Sequence, residues 1–184
     1  DEVCISILNV NVDSTGNGSF DIYMNNDEAV GSFELTIHNS SMVIDGNSSG
    51  GSALDAGFTI QFIPSFQGDP EMTKILGFSM VGGTILEGEG TLLSLEFSNY
   101  TEDEICFGDG YEYSIVFDYM GNEHATDWGD CICPSDYDEC GVCGGSGVDM
   151  CGYCADDGAD ACEQDCSGLW GGSYVVDGCG ICGG

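Results

Sequence analysis

Short runs of alternating apolar and polar residues dominate the first two thirds of the chain. In the clearest run, Phe20, Ile22 and Met24 alternate with Asp21 and Tyr23. A period of two is typical of a β-strand with one buried face. Comparable runs lie at residues 33–38, 58–62, 93–97 and 113–119, with further strand candidates at 3–10, 42–44 and 75–80. The pattern predicts roughly eight or nine strands, as in a β-sandwich.

The segments between these runs are rich in Gly, Asn and Asp, which favour tight antiparallel connections. Such segments lie at residues 26–27, 68–70, 82–83, 108–110 and 121–122. No window shows a sustained helical period. We therefore predict an all-β fold, an antiparallel β-sandwich of the jelly-roll type.

The last third of the chain has a different composition. Ten of the twelve cysteines fall between Cys131 and Cys182, and the octets DECGVCGG (138–145) and DGCGICGG (177–184) nearly match. Repetition of this kind indicates an array of small units. Few aliphatic residues are available for a core, so covalent links of roughly 2–4 kcal/mol each must stabilise this part. The sequence predicts two domains, a sandwich at 1–130 and a disulfide-rich, loop-dominated acidic repeat tail at 131–184.

All twelve cysteines are candidates for disulfides. They are Cys4, Cys106, Cys131, Cys133, Cys140, Cys143, Cys151, Cys154, Cys162, Cys166, Cys179 and Cys182. Cys4 and Cys106 are the only two before residue 131, and a bridge between them is predicted. The three Cys-x-x-Cys pairs can alternatively hold zinc or an iron–sulfur cluster. The even count and the acidic composition favour disulfides, and therefore an extracellular or cell-surface location.

The charge is extreme, because one basic residue, Lys74, stands against thirty-three acidic ones and gives a net charge of −32. Nucleic acid is excluded as a partner, since phosphate binding needs a basic surface. Crowded carboxylates supply the hard oxygen ligands of calcium, and the alternative is a solvated acidic surface. The candidate calcium ligands are Asp127, Asp130, Asp136, Asp138, Asp156, Asp157 and Asp160. No organic cofactor is expected.

Two further features bear on location. Four Asn-x-Ser/Thr sequons, at Asn17, Asn39, Asn47 and Asn99, predict surface glycosylation, the alternative being ordinary polar turns. No apolar stretch is long enough to span a bilayer. We expect the chain to be a mature form or an excised piece, with more repeats following in the parent protein.

The apolar motifs at residues 30–37, 75–80 and 85–97 resemble those of cohesins and related carbohydrate-binding sandwich modules of bacterial extracellular scaffold proteins. The resemblance covers residues 3–120 and implies a cohesin-like sandwich. Cohesins bind calcium-loaded dockerins, so it also implies a protein ligand.

The tail has resemblances of its own. Residues 140–145 are similar to a motif in the cysteine-rich modules of secreted metalloproteases with thrombospondin motifs. Residues 165–184 resemble tandem repeats in very large surface proteins of aquatic bacteria. Neither implies catalysis, because the zinc-binding helix of the proteases is absent.

Three functions remain open from the sequence. The first is a non-enzymatic structural or adhesive module of a stalk or fibre. It self-associates into a filament or tandem array when residues 173–177 pair with the exposed sheet edge of a neighbouring chain. The second is a module that binds a glycan or a docking protein. The third is a hydrolase using Ser48 with His38 or His124, which is disfavoured because an all-β chain lacks the strand-to-helix turn of a nucleophile elbow. No catalytic residue is therefore assigned.

Overall fold

The computed structural model describes residues 2–38, 42–101, 103–108, 114–145, 147–148, 152, 154 and 164–183. It contains two compact units, residues 1–134 and 135–184. The division follows Pro134, whereas the sequence placed it after residue 130. The first unit extends beyond residue 130 because Cys131 is disulfide-bonded to Cys106 and Ile132 pairs with Ile105.

The described elements confirm the predicted all-β class. In chain order they are β1 (Glu2–Val12), β2 (Gly18–Asn26), β3 (Val30–His38), β4 (Val43–Ser49), α1 (Gly51–Asp55), β5 (Thr59–Pro64), a 3₁₀ turn (Phe66–Gly68), β6 (Met72–Phe78), β7 (Gly88–Ser98), β8 (Cys106–Phe107), β9 (Ile115–Asp118) and β10 (Ala125–Trp128).

The strands form two sheets. Sheet A has the order β10-β1-β2-β7-β4, and sheet B has the order β5-β6-β3-β8, with β9 also pairing with β3. Neighbouring strands are antiparallel except β1 and β10, which run parallel from Glu2 opposite Ala125 to Ile5 opposite Trp128. The predicted sandwich is therefore confirmed, with one parallel pair that alternation alone does not reveal.

The core is formed by the inward side chains of both sheets. Its largest fully buried members are Phe20, Phe33, Phe97, Ile5, Ile7, Ile22, Leu35, Ile37, Ile75, Leu92, Leu93 and Leu95. Burying one such side chain stabilises the fold by about 1.5–3 kcal/mol. Aromatic rings pack within each layer, with centroids 5.9 Å apart for Phe20 and Phe97 and 6.1 Å apart for Phe33 and Phe58. Most of these side chains lie on the apolar face that the alternating pattern predicts. In the run 113–119 the predicted face is wrong, because Val116 is buried and Tyr119 is exposed.

The second unit is built from small closed turns. Four isolated bridges each join residues six positions apart, at Tyr137 and Cys143, Val148 and Cys154, Gln164 and Trp170, and Val176 and Cys182. Disulfides connect successive turns, with Cys140 bonded to Cys154 and Cys166 bonded to Cys182. Cys133 and Cys143 are also in disulfides, while Cys151 and Cys162 lie outside the described residues.

The predicted bridge between Cys4 and Cys106 is wrong. Cys106 is bonded to Cys131, and Cys4 is free and exposed. The cause is strand geometry: Val3 and Ile5 point into the core, so Cys4 between them points outward from sheet A, whereas Cys106 belongs to sheet B.

Cys179, a second candidate for a disulfide, carries a free and exposed thiol. The alternative of a metal held by the first Cys-x-x-Cys pair also fails, because both Cys140 and Cys143 are oxidised. Within the described part of the chain, no helix is long and apolar enough to cross a bilayer.

Candidate functional site

The outer face of sheet A is polar. Asp21 on β2 accepts hydrogen bonds from Asn9 Nδ2 at 2.8 Å and from Ser94 Oγ at 2.5 Å. Cys4 is paired with Asn25, and Ser6 is paired with Tyr23, so hydroxyl, thiol and amide groups follow one another along this surface. The face is not free of apolar groups, since Leu8, which is paired with Asp21, is 42% exposed.

The outer face of sheet B is different, because its register places apolar side chains in rows. Phe78 on β6 lies opposite Ser32 on β3, and Phe117 on β9 lies on the other side of Ser32. In the next row, Leu76 and Ile115 flank Glu34 in the same way. All of these side chains are partly exposed. We call this surface the sheet B face, formed by Ser32, Glu34, Ile63, Lys74, Leu76, Phe78, Ile115 and Phe117.

The single basic residue of the chain lies in this face. Lys74 Nζ is 2.5 Å from Glu34 Oε2 and 4.5 Å from the centroid of the Phe66 ring. Only 11% of the lysine side chain is exposed. The pair supplies oriented charges beside the apolar rows, an arrangement that gives a docking surface specificity in addition to buried area.

The histidines do not form a catalytic group with Ser48. Ser48 lies on β4 and pairs with Leu95 of sheet A. His38 Nε2 is 3.3 Å from Glu71 Oε2 at the edge of sheet B, and His124 Nε2 is buried without a hydrogen-bond partner. Neither histidine hydrogen-bonds to Ser48 in the described part of the chain, so the nucleophile has no base beside it.

The first four calcium candidates are placed as follows: Asp127 on β10, Asp130 just after it, and Asp136 and Asp138 at the start of the second unit. Among the described residues, one group of three potential ligands has its donor atoms within 4.8 Å, namely Glu104, Cys106 and Cys131. It includes none of the four, and its two sulfur atoms are bonded to each other. Asp156, Asp157 and Asp160 lie outside the described residues.

The Asp138 carboxylate has a structural role. Its Oδ1 accepts backbone N–H bonds from Cys140 at 2.8 Å and Val142 at 2.9 Å, and its Oδ2 accepts one from Gly147 at 2.7 Å. The backbone closes the same turn, since Asp138 N–H donates to Val142 and Gly141 N–H donates to Asp138. Asp138 thus acts as the hub of a five-residue turn.

Among the described residues, the same turn, which we call the Asp-x-x-Gly turn, recurs at four other aspartates. The other hubs are Asp13, Asp118, Asp165 and Asp177. Asp165 repeats even the long bond, accepting from Tyr174 N–H at 3.2 Å, nine residues on, as Asp138 does from Gly147. The octet at 165–172, DCSGLWGG, was not recognised from the sequence as a copy of the other two, because Ser167 and Trp170 stand where they have cysteines.

These hydrogen bonds favour the ionised form of each hub. Backbone donors, chiefly Val142 N–H for Asp138 and Ile181 N–H for Asp177, hold the pKa of both carboxyls below its usual value. The Ser167 hydroxyl is the main cause of the lowered pKa of Asp165. Some of the acidic residues are therefore needed in their ionised form to accept the hydrogen bonds that close these turns.

The segment 173–177, which the sequence analysis proposed to pair with a neighbouring chain, forms hydrogen bonds within its own unit. Tyr174 carbonyl accepts from Cys166 N–H at 3.3 Å, Val175 carbonyl accepts from Gly183 N–H at 3.1 Å, and Val176 pairs with Cys182. These groups are not available to a neighbouring strand. The sequons at Asn17, Asn47 and Asn99 are exposed, and Asn39 lies outside the described residues.

The sandwich is similar to solved cohesin structures. A non-cellulosomal cohesin from Archaeoglobus fulgidus matches with a TM-score of 0.51 and 14% identity, over 69% of this chain and 86% of that one. A cohesin from a cohesin–dockerin complex of Clostridium thermocellum matches with a TM-score of 0.52 and 14% identity, over 69% of this chain and 94% of that one. A type II cohesin from Bacteroides cellulosolvens matches with a TM-score of 0.51 and 14% identity, over 72% of this chain and 98% of that one.

The fold of the chain is cohesin-like. At this identity the likeness concerns the fold alone. No protein-family model matches the chain, and no curated protein matches it in sequence.

Proposed function

We propose that the chain is an extracellular, non-enzymatic scaffold module that binds a dockerin-type partner protein through the sheet B face. The observation that carries this proposal is the difference between the outer faces of the two sheets. Sheet B presents continuous rows of Leu76, Phe78, Ile115 and Phe117, whereas sheet A presents mainly polar groups around Asp21, with Leu8 as an isolated exposed apolar side chain. Matched structures that describe cohesins in complex with dockerins support a partner of this class.

The chemistry of the sheet B face suits a protein more than a small ligand. Phe78 and Phe117 offer aromatic anchors of the kind that dominate binding free energy in protein interfaces. Glu34 lies in the row of Leu76 and Ile115, and Lys74 lies in the next row, so a partner that covers both rows meets both charges. Removing an apolar anchor and adding a charge should therefore weaken binding by more than tenfold.

The test is calorimetric titration of the full chain with a panel of calcium-loaded dockerins. Leu76→Asp on the sheet B face should abolish the heat of binding seen with wild type. Tyr23→Asp, the matched change on the outer face of sheet A, should leave it unchanged. Equal affinity of the two variants, each shown to be folded by circular dichroism, would place the binding surface elsewhere.

A role for the tail in a stalk or fibre is supported by its linked, repeated turns, although residues 173–177 are engaged within their own unit. Electron microscopy of the purified chain tests this: an ordered polymer with a subunit-sized repeat supports self-association, and monodisperse particles oppose it. Calcium binding and glycosylation remain predictions. Chelation should reduce the resistance of the tail to proteolysis, and intact mass should show sugar on Asn17, Asn47 or Asn99.

A further inference from the structure

The most exposed large apolar side chains of the first unit gather at one end of the sandwich. They are Met80, Val81, Leu86, Tyr119 and Met120, with exposed fractions of 82%, 88%, 74%, 69% and 67%. We call this group the end patch. Solvent-exposed apolar clusters of this kind mark interaction surfaces.

The pairing of the strands shows why these residues share one end. Val30, the first residue of β3, pairs with Ile85 on one side and with Asp118 on the other. The loop that follows Phe78 and the turn that follows Asp118 therefore both project from the start of β3. Gly31 permits this, because a Cβ there would lie 2.7 Å from the Cα of Tyr119.

The end patch is held in place by hydrogen bonds. Asn26 Nδ2 donates to the carbonyls of Glu28 at 2.7 Å and Leu86 at 3.1 Å, and the buried Asn26 thereby anchors the loop. Tyr119 and Met120 occupy the Asp-x-x-Gly turn of Asp118, whose Oδ1 accepts from Met120 N–H at 2.7 Å. A surface ordered before binding loses less entropy when a partner docks.

A cavity of about 360 Å³ adjoins the patch, and Leu86 forms part of its wall. Three carboxylates, Asp55, Glu87 and Glu89, also line it. None of them has an ion pair within the part of the chain that the structure describes. The cavity thus combines an apolar wall with uncompensated negative charge.

The positive charge that complements this cavity does not come from a lysine or arginine of this sequence. The chain has a single basic residue, Lys74, and that residue is already paired with Glu34. A second copy carries a net charge of −32 and would be repelled.

We propose that the end patch and its cavity dock a segment of a partner protein in which a lysine or arginine stands beside apolar or aromatic residues. The apolar side chains cover Leu86, Met80 and Tyr119, and the cation enters among Asp55, Glu87 and Glu89. The end patch and its cavity share no residue with the sheet B face, so the proposal gives the chain a second docking surface.

The test selects peptides from a phage-displayed library of random dodecapeptides on the immobilised full chain at about 150 mM NaCl, where long-range surface charge is largely screened. The enriched peptide is synthesised with a fluorescent label and its Kd is measured by anisotropy. We expect enriched sequences to combine Lys or Arg with apolar residues. Leu86→Ser/Glu87→Gln should raise the Kd by about tenfold or more.

Two matched variants separate this site from the alternatives. Leu8→Ser/Glu96→Gln removes one exposed apolar side chain and one carboxylate from sheet A, and it should change the Kd less than about twofold. Leu76→Asp should also leave peptide binding intact, so a failure of the sheet B face and a failure of the end patch give different results.

Three outcomes would overturn the proposal. The first is that the enriched peptides lack a basic residue, and the second is that the Leu86→Ser/Glu87→Gln and Leu8→Ser/Glu96→Gln variants lose affinity equally. The third is that the wild type sediments as a dimer and Leu86→Ser/Glu87→Gln sediments as a monomer. The second outcome would indicate attraction to overall charge, and the third would identify a second copy as the occupant.

Discussion

The two units of this chain differ in where they keep their apolar side chains. In the first unit, residues such as Phe33, Leu93 and Leu95 are buried between two sheets. In the second, Leu169, Val175 and Ile181 are 61%, 74% and 60% exposed, and Cys143 is the one buried residue among those described. The first unit is stabilised by exclusion of water, and the second by disulfides and carboxylate-centred turns. Stability can therefore be perturbed in one unit by chemistry that barely affects the other.

The largest difference should appear when one apolar side chain is shortened in each unit. Leu93→Ala should lower the free energy of unfolding by about 2–5 kcal/mol, because it leaves a cavity in a closed core. Ile181→Ala should change it by less than about 0.5 kcal/mol. Urea unfolding followed by Trp128 fluorescence in a Trp170→Phe background measures the stability of the first unit. Trp128 is a probe of that unit because its ring centroid lies 5.5 Å from that of Phe107. An unchanged midpoint for Leu93→Ala would contradict the assignment of the core.

The next largest effect on stability should come from removing a disulfide. Cys166→Ser opens a bridge between residues 16 apart and should destabilise the second unit by about 3 kcal/mol. Cys179→Ser is its control, because that thiol is free. Limited proteolysis without reductant should cut residues 164–183 much faster in Cys166→Ser than in Cys179→Ser. Iodoacetamide should label Cys4 and Cys179 in the unreduced protein, and labelling of Cys166 would refute the pairing.

A smaller effect is expected from the backbone of the Asp-x-x-Gly turn. Gly141 has φ of +77° and open space around its Cβ position, so Gly141→Ala adds conformational strain without a clash. The expected cost is about 1–2 kcal/mol. Gly178→Ala, at a position with open space and no such φ, should be nearly neutral. Protease resistance of the two variants compares them, and equal resistance would argue against a left-handed residue in the turn.

The most gradual effect should come from acid. Asp138, Asp165 and Asp177 have pKa values below the usual one, so their contribution to stability is complete above the pKa of the unfolded chain, about 3.9. It is lost as the pH falls through the lower pKa of the folded turns. Amide resonances of Val142, Leu169 and Ile181 should stay constant from pH 7 to about 5 and shift only under stronger acid. A shift near neutral pH would point to another titrating group.

The sequence predicts the sandwich well because burial imposes a period of two on every core strand. It could also have corrected the disulfide at Cys4, since a residue between Val3 and Ile5 must point away from the core. Alternation carries no information about register, however. The rows that pair Leu76 with Glu34 and Phe78 with Ser32 depend on which strands are neighbours, so the sheet B face could not be found in this way.

Other features could not be predicted from the sequence, for different reasons. The helix α1 lies in a Ser- and Gly-rich segment and is held by tertiary contact, with Ala53 fully buried and Gly51 against the Leu92 carbonyl. Sulfur pairing depends on which turns are adjacent in space, which spacing does not specify. Asp138 was predicted as a calcium ligand from the local density of carboxylates, whereas its carboxylate accepts backbone hydrogen bonds that close its own turn.

The parallel pairing of β1 with β10 has a mechanical consequence. Because Glu2 lies beside Ala125 and Ile5 beside Trp128, a pulling force applied at Glu2 and at Trp128 acts along these strands in opposite directions. Their hydrogen bonds must then break together, in shear, instead of one after another as in unzipping. We expect the unit to rupture at high force in single-molecule stretching, a property suited to a link in a chain under tension.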